Sequence, residues 1–573
     1  MNRICSFVFF ICSSLCLWAD KWEGEGTSLS PYWVKTGEDL LLLAQDVNDG
    51  VDYDGFYFKM AADIDLSAIC GDTISWDAIG SLENYFEGDF DGDGHTISNL
   101  YLNVTNRIYV GLFGYVGSHG RISNLSVSGS VTTNFWAGAV AGGSSGEIVN
   151  CAYVGGSINS YQCAGGIVGG NFGIVSNCRN ESEVNGSLIT GGVCGYNYGG
   201  MYDCVNNGDV HGNRGAGGLA GYNGGFSSFS NCYNTPVGIV QNCTNNASVS
   251  GEQKVGGIVG RNDGLLLNVS NYGELTSKIE VGGLTGYNGG FDGVPGNIYN
   301  SYNVGNVFSS SSSAGGVVGV NNPYGSIYNV YSTQTVFNTR DSSRVSVLVA
   351  SNEGFEENCF LLGRIAEGSN GEEDSADYAQ PDSLTLLTQY LNNWVDMSED
   401  SLYSRWTCTP RDSFPSFQKA SASTHNVLVY NFHGVVEEDL LVFSEGQQVS
   451  LNIIPDSNYV LAGAYANSAS DDSIPVDLQG NHVVFEMPES DVFLYLIWQE
   501  ERPLSVEDVT SDGVRMMGGK GELSLSSGRD MTVYIYTVNG SFVTYLEVSR
   551  GEERVLKLPT GVYLVNGHEV IVR

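Results

Sequence analysis

The feature that most constrains this chain is a glycine-punctuated motif that recurs eight times. The first copy, Gly-Leu-Phe-Gly, ends at Gly114, and the steps between the closing glycines of successive copies are 28, 27, 26, 26, 39, 26 and 33 residues. A unit of this length cannot bury its apolar side alone, whereas units stacked on one another share a continuous core. One column of the motif is aliphatic in every copy: Leu112, Val140, Ile167, Val193, Leu219, Ile258, Leu284 and Val317.

A second motif follows each copy of the first and holds a polar column. Stacked strands repeat every ~4.8 Å, so equivalent residues lie over one another. Helical periodicity is absent here. We therefore predict an all-β chain built on a β-solenoid, with an aliphatic ladder inside and hydrogen-bonded asparagines at the corners. The column reads Asn124, Asn150, Asn177, Asp203, Asn242, Asn268, Asn300 and Asn329.

The next column is rich in cysteine. It contains Cys151, Cys178, Cys204 and Cys243, but also Leu, Val and Ser in other copies. This mixture favours a small, buried, slightly polar side chain. The alternative is that neighbouring cysteines form disulfides, because the spacing between turns lies within disulfide range.

The N-terminus has the pattern of a secretory signal. Arg3 precedes an apolar run over residues 4–18, and Ala19 precedes Asp20. The run is shorter than the ~20 apolar residues that span a bilayer. We expect cleavage between Ala19 and Asp20, and we find no membrane-spanning segment in the sequence.

The chain is strongly acidic, with a formal net charge of −39. The negative electrostatic potential of such a chain repels nucleic acid and anionic membranes. We therefore expect no nucleic-acid partner. Solubility explains the charge most simply, and cation binding is the alternative.

Residues 22–336 resemble the GLUG-motif repeat family of bacterial surface proteins, here of the Bacteroidetes type. The resemblance includes lead-in segments at 31–34, 36–40, 56–59, 63–66 and 86–95. Thr36 is a good N-cap, and residues 38–47 read as a short helix. We expect this helix to cover the N-terminal end of the solenoid over residues 20–336.

Three segments follow the repeats. Residues 337–424, with a helix predicted over 383–394, resemble the C-terminal cap and linker of such arrays, and Cys359 and Cys408 are a candidate disulfide there. Residues 425–500 resemble a divergent internalin-type B-repeat, on the phrase at 485–492. Residues 501–573 resemble the type IX secretion sorting domain (type A), with an Asn-Gly turn at 539–540 and Leu-Pro-Thr-Gly-Val-Tyr at 558–563. That resemblance implies passage through the type IX secretion machinery.

One acidic segment imitates the start of a calcium loop. Asp89, Asp91 and Asp93 have the spacing, but Leu100 stands where an EF-hand needs glutamate. We interpret the segment as a solvated turn, with weak calcium binding as the alternative. The sequence predicts no cofactor.

A tyrosine column just after the glycine motif is the candidate binding site. It contains Tyr196, Tyr222 and Tyr287, with Asn197 and Asn223 beside two of them. Such a strip can contact sugar rings and hydrogen-bond their hydroxyls. The alternative is that tyrosine simply packs well in stacked turns.

The function that fits these observations is a non-catalytic, adhesin-like binding protein, extracellular or on the outer cell surface and exported through the periplasm. Its ligand would be a glycan or a host or other extracellular protein. No HExxH motif is present. The alternatives are a carbohydrate-active β-helix enzyme resembling polysaccharide lyases, and a spacer with no ligand.

Overall fold

The computed structural model describes residues 21–362, except 72, 226–237, 291–293, 312, 334–335, 339–344 and 347, and residues 383–418, except 399–401 and 410–411. From 424 to 572 it describes the strands given below and the residues next to them. The chain forms two compact units, residues 1–420 and 421–573.

The first unit is a β-solenoid of about 11 turns whose strands pair in parallel with those of the neighbouring turns. Each regular turn contributes a strand to three faces. The strands of the first face are Tyr109–Val110, Trp136–Ala137, Cys163–Gly165, Ile189–Gly191, Gly215–Gly217, Gln253–Gly256, Ile279–Gly282, Ala314–Gly315 and Val345–Ser346. Those of the second face are Phe113–Val116, Ala141–Ser144, Val168–Asn171, Cys194–Asn197, Ala220–Gly224, Val259–Asp263, Thr285–Asn288, Val318–Asn321 and Val349–Asn352.

The third face bends at the asparagine corner and also contains the strands that precede the repeats. Its strands are Tyr32–Val34, Tyr57–Met60, Ile64–Asp65, Asp89–Asp91, Thr96–Val104, Arg121–Ser123, Ser126–Thr133, Glu147–Val149, Ala152–Ser160, Ile174–Ser176, Arg179–Asn180, Glu183–Gly186, Gly200–Tyr202, Val205–Asn206, Val210–Gly212, Ile239–Gln241, Thr244–Asn245, Val249–Gly251, Leu265–Leu267, Ser270–Asn271, Leu275–Ser277, Gly296–Asn303, Val307–Ser309, Gly325–Ser332, Val336–Asn338, Phe355–Glu357 and Phe360–Leu361.

The aliphatic column forms one inner wall. All eight of its residues are at most 1% exposed and belong to a single core cluster. Their backbones are joined from turn to turn, as where the Ile167 N–H donates to the Val193 carbonyl and the Val193 N–H to the Leu219 carbonyl. This confirms the predicted all-β fold and solenoid.

The asparagine column occupies corners with left-handed backbone. The eight predicted positions have φ between 47° and 56°. L-residues rarely adopt this conformation, and asparagine tolerates it better than most. The side-chain amides also bond along the column, as where Asn150 Nδ2 donates to Asn124 Oδ1 at 2.7 Å and Asn300 Nδ2 to Asn268 Oδ1 at 2.7 Å. The structure thus shows the predicted asparagine ladder between Asn124 and Asn150 and from Asn242 to Asn329, and backbone geometry is an additional reason for asparagine at these corners.

Helix α1, Gly37–Asn48, lies at the N-terminal end of the array. Thr36 and Asp39 form a capping box, in which each side chain accepts a hydrogen bond from the other's backbone N–H. The apolar side of α1 joins the solenoid core through Leu40, Leu43, Ala44 and Val47. The end of the aliphatic core is thereby covered, as expected of a helical cap.

The array continues past Val336 with one further turn, residues 345–361. Helix α2, Leu384–Ser398, and a two-stranded sheet of Trp406–Thr407 and Ser416–Phe417 then pack on the side of the last turns. We call residues 384–418 the strap. It lies across the asparagine corners of several turns, where Asn268, Asn300 and Asn329 each donate a hydrogen bond to one of its carbonyls.

The second unit consists of small sheets with two separate hydrophobic clusters. A five-stranded sheet contains, in spatial order, Val442–Ser444, Thr424–Tyr430, Val492–Glu500, Tyr459–Ser468 and Ser473–Ile474, and a four-stranded sheet contains Gly434–Val436, Gln448–Pro455, His482–Glu486 and Asp477–Gln479. Further along the chain, a three-stranded sheet contains Val514–Gly519, Glu522–Ser527 and Glu553–Lys557, and a four-stranded sheet contains Phe542–Val548, Met531–Thr537, Gly561–Val565 and His568–Val572. The predicted Asn-Gly turn at 539–540 lies outside the described residues.

Candidate binding surface

The tyrosine column predicted from the sequence lies on the outer side of the second face. Strand register places Tyr196, Tyr222, Arg261 and Tyr287 directly over one another in four consecutive turns. The three earlier turns carry Tyr115, Gly143 and Gly170 in the same column. By itself the column therefore has a gap of two turns.

Two aromatic residues that the sequence analysis missed fill this gap. A Cβ on Gly143 would lie 2.7 Å from the Tyr109 ring, and one on Gly170 would lie 2.2 Å from the Trp136 ring. Both rings come from strands of the first face and lie over these glycines. The signal in the sequence was the pair of glycines itself, because only glycine leaves room for a ring from a neighbouring strand.

The result is a continuous row with one aromatic or guanidinium group at the level of each of seven turns, which we call the aromatic ribbon. Ring centroids are 4.9 Å apart for Tyr115–Tyr109, 5.6 Å for Tyr109–Trp136, 5.0 Å for Trp136–Tyr196 and 5.5 Å for Tyr196–Tyr222. The Arg261 guanidinium carbon lies 5.7 Å from the Tyr222 ring and 5.7 Å from the Tyr287 ring. Such cation–π contacts are favourable. Members of the aromatic ribbon are thus spaced close to one per solenoid turn.

Phe172 and Tyr198 widen the middle of the aromatic ribbon. The Tyr196 and Tyr198 ring planes lie 4° from parallel, and those of Trp136 and Tyr196 lie 21° from parallel. By contrast, the Tyr109 and Trp136 ring planes meet at 66°, and those of Tyr196 and Tyr222 meet at 58°. Tyr109, Trp136, Tyr196, Tyr222 and Arg261 are half-buried, whereas Tyr115 and Tyr287 are buried. The accessible part therefore extends over five turns.

The polar ends of several members are engaged within the protein. The Tyr222 hydroxyl donates to Asp263 at 3.0 Å, and Asn322 Nδ2 donates to the Tyr287 hydroxyl at 2.7 Å. Burial raises the pKa of Tyr109 and that of Tyr196 to about 12. These phenols are therefore neutral at physiological pH, and the aromatic part of the ribbon carries no negative charge.

The charged end of the aromatic ribbon is internally neutralised. Arg261 makes two hydrogen bonds to the buried Asp263 carboxylate, at 3.0 and 2.6 Å. Lys254 Nζ lies 4.2 Å from the centre of the Tyr287 ring, and burial lowers the pKa of this lysine. Such fixed pairing holds the guanidinium against the rings.

Asn197 and Asn223 lie beneath the aromatic ribbon. Both are fully buried. Asn197 Nδ2 donates to Asn223 Oδ1 at 2.8 Å, and Asn223 Nδ2 donates to Asn262 Oδ1 at 2.9 Å. Because these amides are used in an internal ladder, they are not available to a ligand at the surface. Of the predicted site residues, the structure brings Tyr196, Tyr222 and Tyr287 together on the outside and places the two asparagines inside.

The Asp89–Asp93 segment holds a lysine. Lys59 Nζ lies 3.2 Å from Asp91 and 2.9 Å from Asp93. Burial disfavours ionisation of Asp91, but hydrogen bonds from Asn124 and Lys59, among others, outweigh it and lower its pKa. Asp89 lies 3.6 Å from Arg121. Each of these three carboxylates thus lies beside a protein cation, and within the described residues no group of three His, Cys, Asp or Glu side chains is arranged as metal ligands.

The cysteine column is buried, and its cysteines are not paired in disulfides. Cys151, Cys178, Cys204 and Cys243 are free thiols, each within hydrogen-bond distance of the carbonyl two residues earlier. Burial raises the pKa of Cys151, Cys178 and Cys204 well above the usual value. The structure thus shows the small buried side chain that the column favoured. Cys359 and Cys408, which we considered as a pair, are likewise free thiols.

A polar pocket on the third face contains a histidine between two possible proton partners. His211 Nδ1 lies 2.6 Å from Ser250 Oγ, and His211 Nε2 lies 3.6 Å from Glu183 Oε1. Asn185, Asn213 and Thr276 also line the pocket. Glu183, His211 and Ser250 come from three successive turns, and His211 and Ser250 are register partners.

The predicted cleavage residues Ala19 and Asp20 lie outside the described residues. Within the described part of the chain, no helix combines the length and hydrophobicity of a membrane span.

No protein-family model matches the chain. A segment is 35% identical over 124 residues to the "Putative Gly-rich membrane protein" of Evansella cellulosilytica. This alignment covers 22% of this chain and 14% of that protein. Another alignment, 36% identical over 137 residues, covers 22% of this chain and 1% of Halomucin from Haloquadratum walsbyi. The chain thus spans a small part of these relatives. Among solved structures, a "putative immunoglobulin A1 protease" from Bacteroides ovatus is 21% identical, with 70% of this chain and 96% of that chain covered and a TM-score of 0.30.

Proposed function

We propose that this protein is an exported, non-catalytic binding protein of the cell surface or extracellular space, adhesin-like in character, and that the aromatic ribbon is its contact surface. The observation that carries the proposal is the continuous row of half-buried rings over neighbouring turns. Rings held between strands lose little conformational entropy on binding, so such a surface is preorganised.

The ligand class that we propose is a glycan. Aromatic rings offer apolar surface together with edges of partial positive charge, and this combination suits a sugar, which has both C–H groups and oxygens. The strong negative charge of the chain disfavours nucleic acid. An extracellular protein ligand is the second class, since tyrosine and tryptophan are also enriched in protein interfaces.

Binding to a glycan array by wild type and by a Tyr196→Ala/Tyr222→Ala double variant tests this. We expect at least about a tenfold loss of apparent affinity, because each ring contributes on the order of 1 kcal/mol to contacts. Tyr161→Ala is the matched control, because Tyr161 is 57% exposed and is not part of the ribbon. Unchanged binding by the double variant discards the ribbon as the contact surface.

Export is also part of the proposal. It rests on the signal-like N-terminus, the GLUG resemblance of the repeats and the sorting-domain resemblance of residues 501–573. Cell fractionation with mass spectrometry of the mature ends tests all three. We expect Asp20 as the first residue and loss of the C-terminal segment. A full-length chain recovered from the cytoplasm contradicts export.

A carbohydrate-active enzyme is the second candidate, favoured by the His211 pocket. A histidine between Ser250 and Glu183 is suited to proton transfer. Turnover of acidic and neutral polysaccharides that disappears in His211→Ala but persists in His119→Ala supports an enzyme. Binding without turnover favours the non-catalytic function, and a ligand-free spacer shows neither.

A further inference from the structure

We propose that the ligand of the aromatic ribbon is a linear, uncharged polysaccharide that lies along the solenoid axis with about one sugar unit on each turn. This inference rests on the proposed function. Its basis is the spacing of the ribbon: between Tyr109 and Arg261, successive groups lie 5.0–5.7 Å apart. A pyranose unit and its glycosidic oxygen advance a chain by about the same distance.

An extended peptide does not have this repeat. Side chains on one face of a strand recur every ~6.8 Å, twice the rise of ~3.4 Å per residue. Over the five accessible turns, a peptide and the ribbon would drift out of phase by more than one turn. A peptide could match one or two rings, whereas a glycan chain could match all five.

Charge selects among polysaccharides. The formal net charge of −39 repels a polyanion, and the Arg261 guanidinium is already paired with Asp263. The exposed groups of the ribbon are therefore mainly neutral rings. A sugar with neutral hydroxyl groups can contact these rings without a desolvation cost for charged groups.

The length of the ligand is set by the two ends of the accessible stretch. Beyond Arg261, Tyr287 is buried and Val320 follows in the column. At the other end, Tyr115 is buried and hydrogen-bonds Ser145 at 2.7 Å. Along the solenoid axis, where turns repeat every ~4.8 Å, the first and last of five accessible groups are about 19 Å apart. Affinity should therefore rise with chain length up to about five sugar units and then level off.

Calorimetric titration of cello-, xylo-, manno- and chito-oligosaccharides of two to ten units tests this length dependence. In at least one series we expect about a threefold gain in affinity per added unit up to about five units. Tyr196→Ala, at the centre of the ribbon, should abolish the gain, whereas Tyr161→Ala should leave it intact. Equal affinity for two and ten units overturns the axial arrangement but leaves glycan binding standing. No binding in any series, on a protein that also ignores the glycan array, overturns the proposed function itself.

A second inference comes from the C-terminal end of the array. One inward column runs in register through ten apolar residues and ends in a carboxylate: Phe58, Phe90, Ile122, Ile148, Val175, Met201, Val240, Leu266, Ile298, Ile327 and then Glu356. Ile327 is 1% exposed, and Glu356 is half-buried. Among the described strands, none pairs with the outer edge of the turn that contains Glu356.

We infer that Glu356 prevents a second copy of this chain from stacking on that end. An open strand edge above an apolar core is a template for association, and an inward charge is one way to block it. At the opposite end α1 covers the core with apolar side chains instead. One carboxylate oxygen of Glu356 is already buried in the single chain, and stacking a second copy would remove the rest of this half-buried side chain from water, which is costly for a charged group.

Glu356→Ile tests this inference, with Glu353→Ile as control because Glu353 is exposed on the same turn. Light scattering after size exclusion should give about twice the wild-type mass for Glu356→Ile and the wild-type mass for the control. Circular dichroism confirms that both variants are folded. Unchanged mass in a folded Glu356→Ile variant overturns the inference, as does a wild-type dimer formed through this end.

Discussion

The corner column of asparagines is open to water in one half of the array and covered by the strap in the other, although both halves have the same left-handed backbone. Asn150 and Asn177 are exposed, whereas Asn300 and Asn329 are fully buried. The same residue in the same conformation therefore serves as a solvated corner in one place and as a docking point in the other.

In the covered half each asparagine side chain makes more hydrogen bonds within the protein. Asn300 Nδ2 donates to Asn268 Oδ1 and also to the Ser404 carbonyl at 2.8 Å, and its own Oδ1 accepts from Trp406 Nε1 at 2.7 Å. Asn150 Nδ2 donates to Asn124 Oδ1, and its side chain is exposed to solvent. Burial without these strap contacts would leave polar atoms unsatisfied.

The two halves differ in the column that lies two residues after each corner asparagine. In the covered half, Tyr302, Tyr331 and Phe360 stand in register. Trp406 lies 5.6 Å from the Tyr302 ring and 5.5 Å from the Tyr331 ring. In the open half the column contains Ser126, Ala152, Arg179, Val205 and Thr244. The asparagines position the strap, and the aromatic residues provide the apolar area that holds it.

The largest effect is expected for Trp406→Ala. Trp406 is 3% exposed, and its removal deletes both the ring contacts and the hydrogen bond to Asn300. We expect a loss of about 3–5 kcal/mol in unfolding free energy. Urea denaturation measures the loss, and limited proteolysis should show new cleavage within residues 384–418. Tyr202→Ala, in the open half, is the control and should cost about 1 kcal/mol. Equal losses for both variants would contradict a special role for the strap.

Replacing equivalent asparagines compares the two halves directly. Asn300→Ala leaves strap groups unsatisfied and strains the corner, for about 3 kcal/mol of destabilisation. Asn150→Ala strains the same backbone conformation but loses one exposed hydrogen bond, for about 1–2 kcal/mol. Thermal unfolding of both variants measures this difference. Glycine in place of alanine removes the strain, so Asn150→Gly should approach wild type while Asn300→Gly should not. If both glycine variants match wild type, the strap hydrogen bonds contribute nothing.

A smaller effect is expected in the cysteine column, which continues from the open half into the covered half as Val269, Ser301 and Val330. Cys204 Sγ lies 3.2 Å from the Tyr202 carbonyl, and Ser301 Oγ donates to the Tyr299 carbonyl at 2.7 Å. Because serine already makes the equivalent contact, Cys204→Ser should cost no more than about 1 kcal/mol in chemical denaturation. Cys204→Phe, which overpacks the column, should cost more. A large loss for serine would mean that the two halves are not equivalent at this column.

The buried thiols should not react in the native protein at neutral pH. At alkaline pH they should lower the stability of the fold. Burial raises the pKa of Cys151, Cys178 and Cys204, so iodoacetamide should label them in the unfolded but not in the native protein, as mass spectrometry can measure. The pKa of each of these thiols is higher in the folded than in the unfolded protein. The thiols therefore contribute fully to stability below about pH 8.5, and this contribution is lost as the pH rises above that value. Labelling of the native protein at pH 7 would show that the core around the cysteine column opens to solvent.

Much of the solenoid was predictable because its information is local and repeated. The glycine and aliphatic columns predicted the stacked turns and the inner wall, and Thr36 with the following residues predicted α1. The asparagine column predicted the ladder. Periodicity identifies equivalent positions, and in a stack each position contacts its equivalent in the next turn.

Contacts between different columns required the tertiary structure. Nothing in the spacing of Tyr109 and Trp136 showed that their rings lie over Gly143 and Gly170, because these residues belong to different strands of the turn. Likewise, the strap reaches Asn268 from Leu402, 134 residues further along the chain. The repeat determines which residues stack on their equivalents, whereas the shape of each turn and the path of the later chain decide which unlike residues meet.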